Sequence, residues 1–173
     1  MGDIKKNRKK YRKPKHPWQK ERIEEEKIIL KEYGLKNKKE IWRLTSLIAR
    51  FKNRAKILIA LKTKQSDKEK IELLTRLVSL GLLEKNSQIE EVLSLKLEDI
   101  FERRLQTILL RKNLAKTINQ SRQFITHGHV TIGEKKITAP SYLVLKKEET
   151  NVSFVEKSSL SKADHPERII KEK

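Results

Sequence analysis

The stretch from Thr117 to Ile132, TINQSRQFITHGHVTI, narrows the folds open to this chain more than any other. Thr117 and Gln120 have the spacing of an N-cap and its third helical position, which predicts a helix beginning at Ile118. Gly128 suits the left-handed residue just past a helix end, a conformation that costs little only without a Cβ. Val130 and Ile132 then alternate with Thr131, as a half-buried strand would. A helix, a glycine corner and a strand in so short a span call for an α+β module. The corner presents Arg122, His127 and His129 close together.

The flanking segments extend that module over residues 97–156. A helix is predicted over Glu98–Lys112, with Phe101, Leu105, Ile108 and Leu109 facing a core and Arg104 and Arg111 two turns apart on another face. Gly133-Glu134 suits a type II′ hairpin turn, after which Lys135–Thr138 returns. Pro140 interrupts, and Tyr142–Leu145 and Asn151–Val155 read as further strands. Two helices thus pack on a small twisted antiparallel sheet. Residues 17–96 read as a helical domain. Pro17 starts a helix with Glu21, Glu24, Glu25 and Glu26 in its first half, and Gly34 stops it. A second helix over Lys39–Leu61 buries the stripe Ile41, Leu44, Ile48, Phe51, Ala55 and Leu58. Ser66 with Glu69 opens a third, burying Ile71, Leu74, Leu77 and Val78, and Ser87 with Glu90 opens a short fourth. Residues 1–16 form a basic arm and 157–173 a frayed tail. The fold class is mainly α with a small α+β module.

Charge decides what such a chain can partner. Lys and Arg number 42 against 23 Asp and Glu, a formal net charge of +19. Self-repulsion on this scale is compensated by a polyanion, with nucleic acid first and an anionic membrane surface second. No apolar run approaches 18 residues and the charged start does not read as a signal peptide, so no membrane role is expected. There is no cysteine, which excludes disulfides and thiolate metal sites. No catalytic set, cofactor motif or small-molecule site is apparent, so the chain is not expected to be an enzyme. The arm holds Lys9, Lys10, Arg12 and Lys13 with almost nothing apolar; it is expected to be mobile alone and to order on phosphates, with Tyr11 and Trp18 available for stacking. The alternative is a solubilising tail. Arg43, Arg50 and Arg54 on the second helix have few acids to balance them. His127-Gly128-His129 lacks a third metal ligand nearby, and its imidazoles suit an RNA loop or merely fix the corner. Arg104, Arg111 and Arg122 would converge on one side of the module, in a fork geometry suited to phosphate. RNA is preferred to DNA because the module offers no long exposed recognition helix.

The run Glu102-Arg103-Arg104-Leu105-Gln106-Thr107, then Arg111-Lys112, Ser121-Arg122-Gln123, His127-Gly128-His129-Val130 and Pro140-Ser141-Tyr142 resembles the signature of the S-four RNA-binding domain. The N-terminal blocks Tyr11–Arg22 and Tyr33–Arg43 resemble the archaeal and eukaryotic branch of the small-subunit ribosomal protein four family. That resemblance implies a primary rRNA-binding protein that nucleates the small subunit's 5′ domain at a multi-helix junction. It also implies ribosomal proteins three and five as neighbours, the mRNA where it enters the subunit as a possible contact, a contribution to translational accuracy, and a cytoplasmic ribosome as location. By the same carry-over, Arg104, Arg111, Thr117, Ser121, Arg122, Gln123, His127 and His129 lie against RNA. Relatives commonly carry Asn-Gly where this chain has Gly133-Glu134, so the hairpin tip is not assigned a contact. A pre-rRNA processing paralogue sharing these blocks is the alternative, and an RNA-modifying enzyme bearing the domain is a more distant one. Arg104 and Arg122 are expected on the surface, so their replacement by Ala should weaken RNA binding and leave the fold intact.

Overall fold

The computed structural model describes residues 9–61, 63–162 and 165–167. Among them run α1 Lys20–Glu32, α2 Lys38–Ala60, α3 Lys64–Ser79, α4 Leu97–Glu102, α5 Leu105–Arg111 and α6 Ile118–Thr126. Strands β1 Val130–Ile132, β2 Lys135–Lys136 and β3 Val152–Phe154 follow, with single 3-10 turns at Ile89–Leu93, Glu149–Asn151 and Ser159–Ser161. The architecture is mainly α with a small α+β module. The expected arm residues 2–8 and tail residues 163–164 and 168–173 lie outside the described residues.

α2 buries the stripe its periodicity predicts: Ile41, Leu44, Ile48, Phe51, Ala55 and Leu58. It is the spine of a first core, completed by Tyr33 and Leu35, Leu73 and Leu77 of α3, Ile89 and Val92, and Ile100 and Phe101 of α4. Burying each large apolar side chain here contributes roughly 1.5–3 kcal/mol. The buried face of α3 differs from the expectation. Thr63 and Ser66 form the reciprocal cap, one turn before the predicted Ser66 and Glu69, and Leu73 and Leu77 are buried while Ile71 is 65% exposed. α1 also begins later than Pro17. The carbonyls of His16 and Pro17 accept from the Arg22 guanidinium, at 3.3 and 2.8 Å, so they are turned away from helix geometry.

The helix expected over Glu98–Lys112 is broken in two. Arg104 has extended backbone, φ −73° and ψ 141°. Leu105 N–H donates to Tyr142 O at 2.8 Å and Val144 N–H to Arg103 O at 2.9 Å. The 142–144 segment therefore takes backbone groups that a continuous helix would have used. For the same reason Tyr142–Leu145 is not a strand of the sheet; it makes one bridge, Leu143 to Arg104. Leu105, Ile108 and Leu109 then enter a second core with Phe124, Ile125, Val130, Val144 and Phe154, whereas Phe101 belongs to the first.

α6 and its corner follow the sequence reading closely. Thr117 Oγ1 accepts from Gln120 N–H at 3.2 Å, although the Gln120 side chain answers Lys116 N–H rather than its cap. At the other end Gly128 N–H donates to Ile125 O and His129 N–H to Phe124 O, both at 2.9 Å, with Gly128 at φ +74°. This is the double hydrogen bond of a Schellman stop, and the Phe124 and His129 rings supply its accompanying contact. The antiparallel sheet has the order β2-β1-β3, with Ile132 opposite Lys135 across the turn and Val130 opposite Phe154. Gly133 has φ +58° and Glu134 has no positive φ, as a type II′ turn requires.

Two expected loose ends are tied down. Tyr11 packs on Trp42 with centroids 6.1 Å apart, and Arg12 N–H donates to Ser46 Oγ at 2.9 Å, so the arm touches α2 at Tyr11 and Arg12. Leu160 is 3% exposed and joins the second core. The apolar Tyr11 and Leu160 are single residues in charged segments, too sparse to produce a periodic signal.

The two halves meet at Gly34, which has φ +54° in the turn between α1 and α2. A Cβ there would lie 2.8 Å from Ile118 Cγ2 and 2.9 Å from Gln106 Nε2. Gly34→Ala is therefore expected to destabilise the protein more than Gly128→Ala. At Gly128 a Cβ would meet Lys136 Cε, but that is the far end of an exposed, flexible side chain that can swing away. Gly128→Ala should therefore cost little beyond the left-handed backbone penalty of about 1–2 kcal/mol, whereas Ile118 and Gln106 are held by their packing and hydrogen bonds. Urea unfolding of both variants checks the order, and equal losses would show that the Gly34 contact is slack.

Candidate nucleic-acid interface

Glu40 stands in the first turn of α2, where an acid usually does no more than complement the helix dipole. Its carboxylate instead reaches the module. Arg104 Nη2 donates to Oε2 at 2.7 Å and Arg122 Nη2 to Oε1 at 2.9 Å. Arg122 Nη1 donates to Gly34 O at 3.3 Å, and Gln106 Nε2 donates to that carbonyl at 3.1 Å and to Ile118 O at 3.0 Å. Burial by itself would raise the Glu40 pKa; the hydrogen bonds and charge of Arg122 and Arg104 outweigh it and hold the carboxyl below its ordinary range.

Arg104 is consequently not the surface cation expected of it: it is 2% exposed. The break before α5 turns it inward, and its charge is tolerated there because Glu40 answers it. Arg122 does converge with Arg104, but half-buried and with its fork on a carboxylate. Arg111 does not join them; it is exposed and pairs with Glu102. Ser121 is also buried, its hydroxyl donating to Thr117 O at 3.2 Å, while Thr117 and Gln123 are exposed. At the corner His127 is exposed and its ring lies parallel to that of His129, with centroids 6.3 Å apart. His129 Nδ1 shares a hydrogen bond of 2.9 Å with Ser158 Oγ.

Beside this clamp opens a groove of about 370 Å³. Lys10, Arg43, Leu47 and Arg50 line one side, Pro140, Ser141 and Leu143 the other, and Glu40, Arg104 and Arg122 complete it. Lys10, Arg43 and Arg50 are exposed and have no ion-pair partner among the described residues. Past Arg122 the surface continues into a hollow lined by Lys36, Asn119, Gln123 and Thr126. Donors lacking acceptors, beside apolar walls at Leu44 and Leu47, suit a phosphate oxygen and the sugar next to it. Arg54 is exposed and pairs with Glu69 at 3.1 Å. Arg12 and Lys13 border a different hollow, with Trp42 and Glu26, and Lys9 is exposed. Sequence reasoning missed Glu40 because Asn37 and Glu40 have the spacing of a helix start, a purely local explanation. It also left Pro140 and Ser141 out of the site residues, although both stood in the motif that carried the family resemblance.

The S4 domain family matches residues 103–149. Over nearly the whole chain the sequence is similar to proteins named small ribosomal subunit protein uS4. That of Nanoarchaeum equitans is 45% identical over 168 residues, 96% of this chain and 93% of the relative. That of Picrophilus torridus is 44% identical over 173 residues, covering 98% and 94%. That of Hyperthermus butylicus is 46% identical over 172 residues, covering 99% and 98%.

The clamp has a pH signature. Because the folded-state pKa of Glu40 is depressed, its contribution is complete above the unfolded value near 4.5 and is lost as pH falls through the folded value. The gap in melting temperature between wild type and Glu40→Gln should therefore be wide at pH 7 and shrink at pH 3; a constant gap would show that the carboxylate charge is irrelevant. Arg104→Ala should cost about 3 kcal/mol of stability, at the lower edge for a broken buried pair because Glu40 keeps Arg122. Denaturant titration reads this directly. A loss below about 0.5 kcal/mol, as for an ordinary surface substitution, would restore the surface reading.

Proposed function

The chain belongs to the uS4 family of small ribosomal subunit proteins, and from that membership we propose that it is a primary rRNA-binding protein. It is a structural constituent of the small subunit and not an enzyme. In this proposal it binds a junction of the rRNA 5′ domain and nucleates that domain's assembly. Its neighbours are ribosomal proteins three and five, beside the path by which mRNA enters, where it contributes to accuracy in the cytoplasmic ribosome. The helical part at 17–96 and the module at 97–156 take the RNA between them, the basic arm at 1–16 extends the contact, and the tail at 157–173 stays outside it. Lys9, Lys10, Arg12, Lys13, Arg43, Arg50, Arg54, Arg111, Thr117, Gln123, His127 and His129 meet RNA. Arg104 and Ser121 hold the surface in shape from beneath, and Arg122 does both.

One observation carries this reading. Among the described arginines only Arg12, Arg43, Arg50 and Arg76 have no carboxylate partner, and two of these line the groove where the halves meet. The one acid in its wall, Glu40, is committed to Arg104 and Arg122, so Lys10, Arg43 and Arg50 keep their positive charge for an outside anion.

Binding to a transcript of the 5′ domain of archaeal small-subunit rRNA, measured across a salt series, tests the reading. Each phosphate neutralised should contribute about 0.7–0.9 to the slope of log affinity against log salt. Arg43→Ala should weaken binding about tenfold and lower the slope by one such step, whereas Lys162→Ala in the tail should change neither. A flat salt dependence, or equal effects of the two substitutions, would overturn the proposal. Sedimentation with precursors but never with mature subunits would point instead to a role in rRNA processing.

A further inference from the structure

Arg50 and Leu47 border a second cleft as well, of about 300 Å³, on the other side of the α2 ridge. Its far wall is α3, which contributes Glu72 and Arg76. The Arg76 guanidinium lies over the Phe51 ring, with Cζ 5.9 Å from the centroid. Such stacking holds the planar fork while leaving its N–H edge open to an acceptor. Neither Arg50 nor Arg76 has a carboxylate partner among the described residues, and the exposed Arg54 in the same cleft has only the half-buried Glu69. A pair whose arginine stands in solvent is worth little and is readily exchanged for a stronger anion.

Two clefts that share Arg50 and Leu47 form one trough across α2. Along it Arg43, Arg50 and Arg54 step by seven and then four residues, a helical rise of roughly 10 and 6 Å. A row of cations of this kind, ending at Arg76, matches a polymer with regularly repeated negative charge. A single compact anion would use only one station. An acidic protein segment is the other chemistry that repeats charge. The trough is continuous with the groove assigned to RNA, and rigid guanidinium forks favour phosphate geometry. The backbone of the same RNA is the better match.

We propose that the RNA strand bound in the groove beside Glu40 continues over α2 into the cleft between α2 and α3, where Arg50 and Arg76 receive its phosphates. This rests on the rRNA-binding reading above and adds Arg76 and the α3 wall to it. Glu72 is then the one charge in the cleft that opposes the ligand.

The intact protein and the same rRNA transcript serve for the test. Arg76→Gln keeps a side chain of similar shape over Phe51; it should weaken binding about tenfold and lower the salt slope by about 0.7–0.9. Arg76→Lys should keep the slope, since the charge remains. Glu72→Arg, on the exposed face of α3, should tighten binding and steepen the slope, and it does not depend on Arg76→Gln folding normally. If Arg43→Ala weakens binding while Arg76→Gln and Glu72→Arg leave affinity and slope at wild-type values, the extension is wrong and the groove reading stands. If wild-type binding is itself insensitive to salt, both fail.

Discussion

The most directional link between the two halves of this structure is the carboxylate of Glu40. Hydrophobic burial drives the assembly of both cores, but it is non-directional and says little about the angle at which they meet. A carboxylate accepting from two guanidiniums is directional. Its oxygens, at 2.7 Å from Arg104 and 2.9 Å from Arg122, tie the start of α2 to the head of α5 and the middle of α6. Gly34 completes the joint by offering a bare backbone carbonyl where a side chain would not fit. A buried ion pair need not add net stability, because desolvation offsets its attraction. Once Arg104 is buried, however, arrangements without Glu40 beside it leave an uncompensated charge. Specificity of docking is the consequence.

The same economy of acids explains how a chain of charge +19 can both fold and bind. Three of the buried or half-buried carboxylates, Glu26, Glu40 and Glu149, are committed to architecture. Glu26 receives Arg22, Lys38 at 3.1 Å and the Trp42 indole at 2.9 Å; Glu40 receives Arg104 and Arg122; Glu149 receives Arg103 at 2.7 Å. These pairs lie inside or between the packed layers, where self-repulsion would hurt the fold most. The cations they leave over stand on α2, α3 and the arm, facing outward. Repulsion there is relieved when a polyanion arrives, so the charge imbalance is itself part of the affinity for RNA.

Much of the molecule was readable from sequence, and the readable parts share a property. The stripe of α2, the Thr117 cap, the Gly128 stop and the Gly133 turn are each set within about one helical turn or one hairpin. The family was readable for a related reason: its motifs are short strings of side chains that can be recognised without knowing where they go. The basic face of α2, with Arg43 and Arg50, was likewise visible as charge with too few acids to answer it.

What the sequence could not decide was every choice made by a partner far along the chain. Nothing near Arg103 and Arg104 breaks a helix; the break comes from Tyr142 and Val144, which claim its backbone groups. Arg104 looked like a solvated arginine because its partner, Glu40, stands 64 residues away. The face of α3 and the docking of Tyr11 on Trp42 were settled in the same manner, by packing surfaces that exist only after the fold has formed. The sequence alone therefore determined the locally set elements, such as α2, α6 with its cap and stop, and the Gly133 turn, and a charge imbalance that calls for a polyanion. Tertiary structure alone decided which cations are paired inside and which stay unpaired on the surface, because an ion pair depends on distance in space and periodicity reports only distance along the chain.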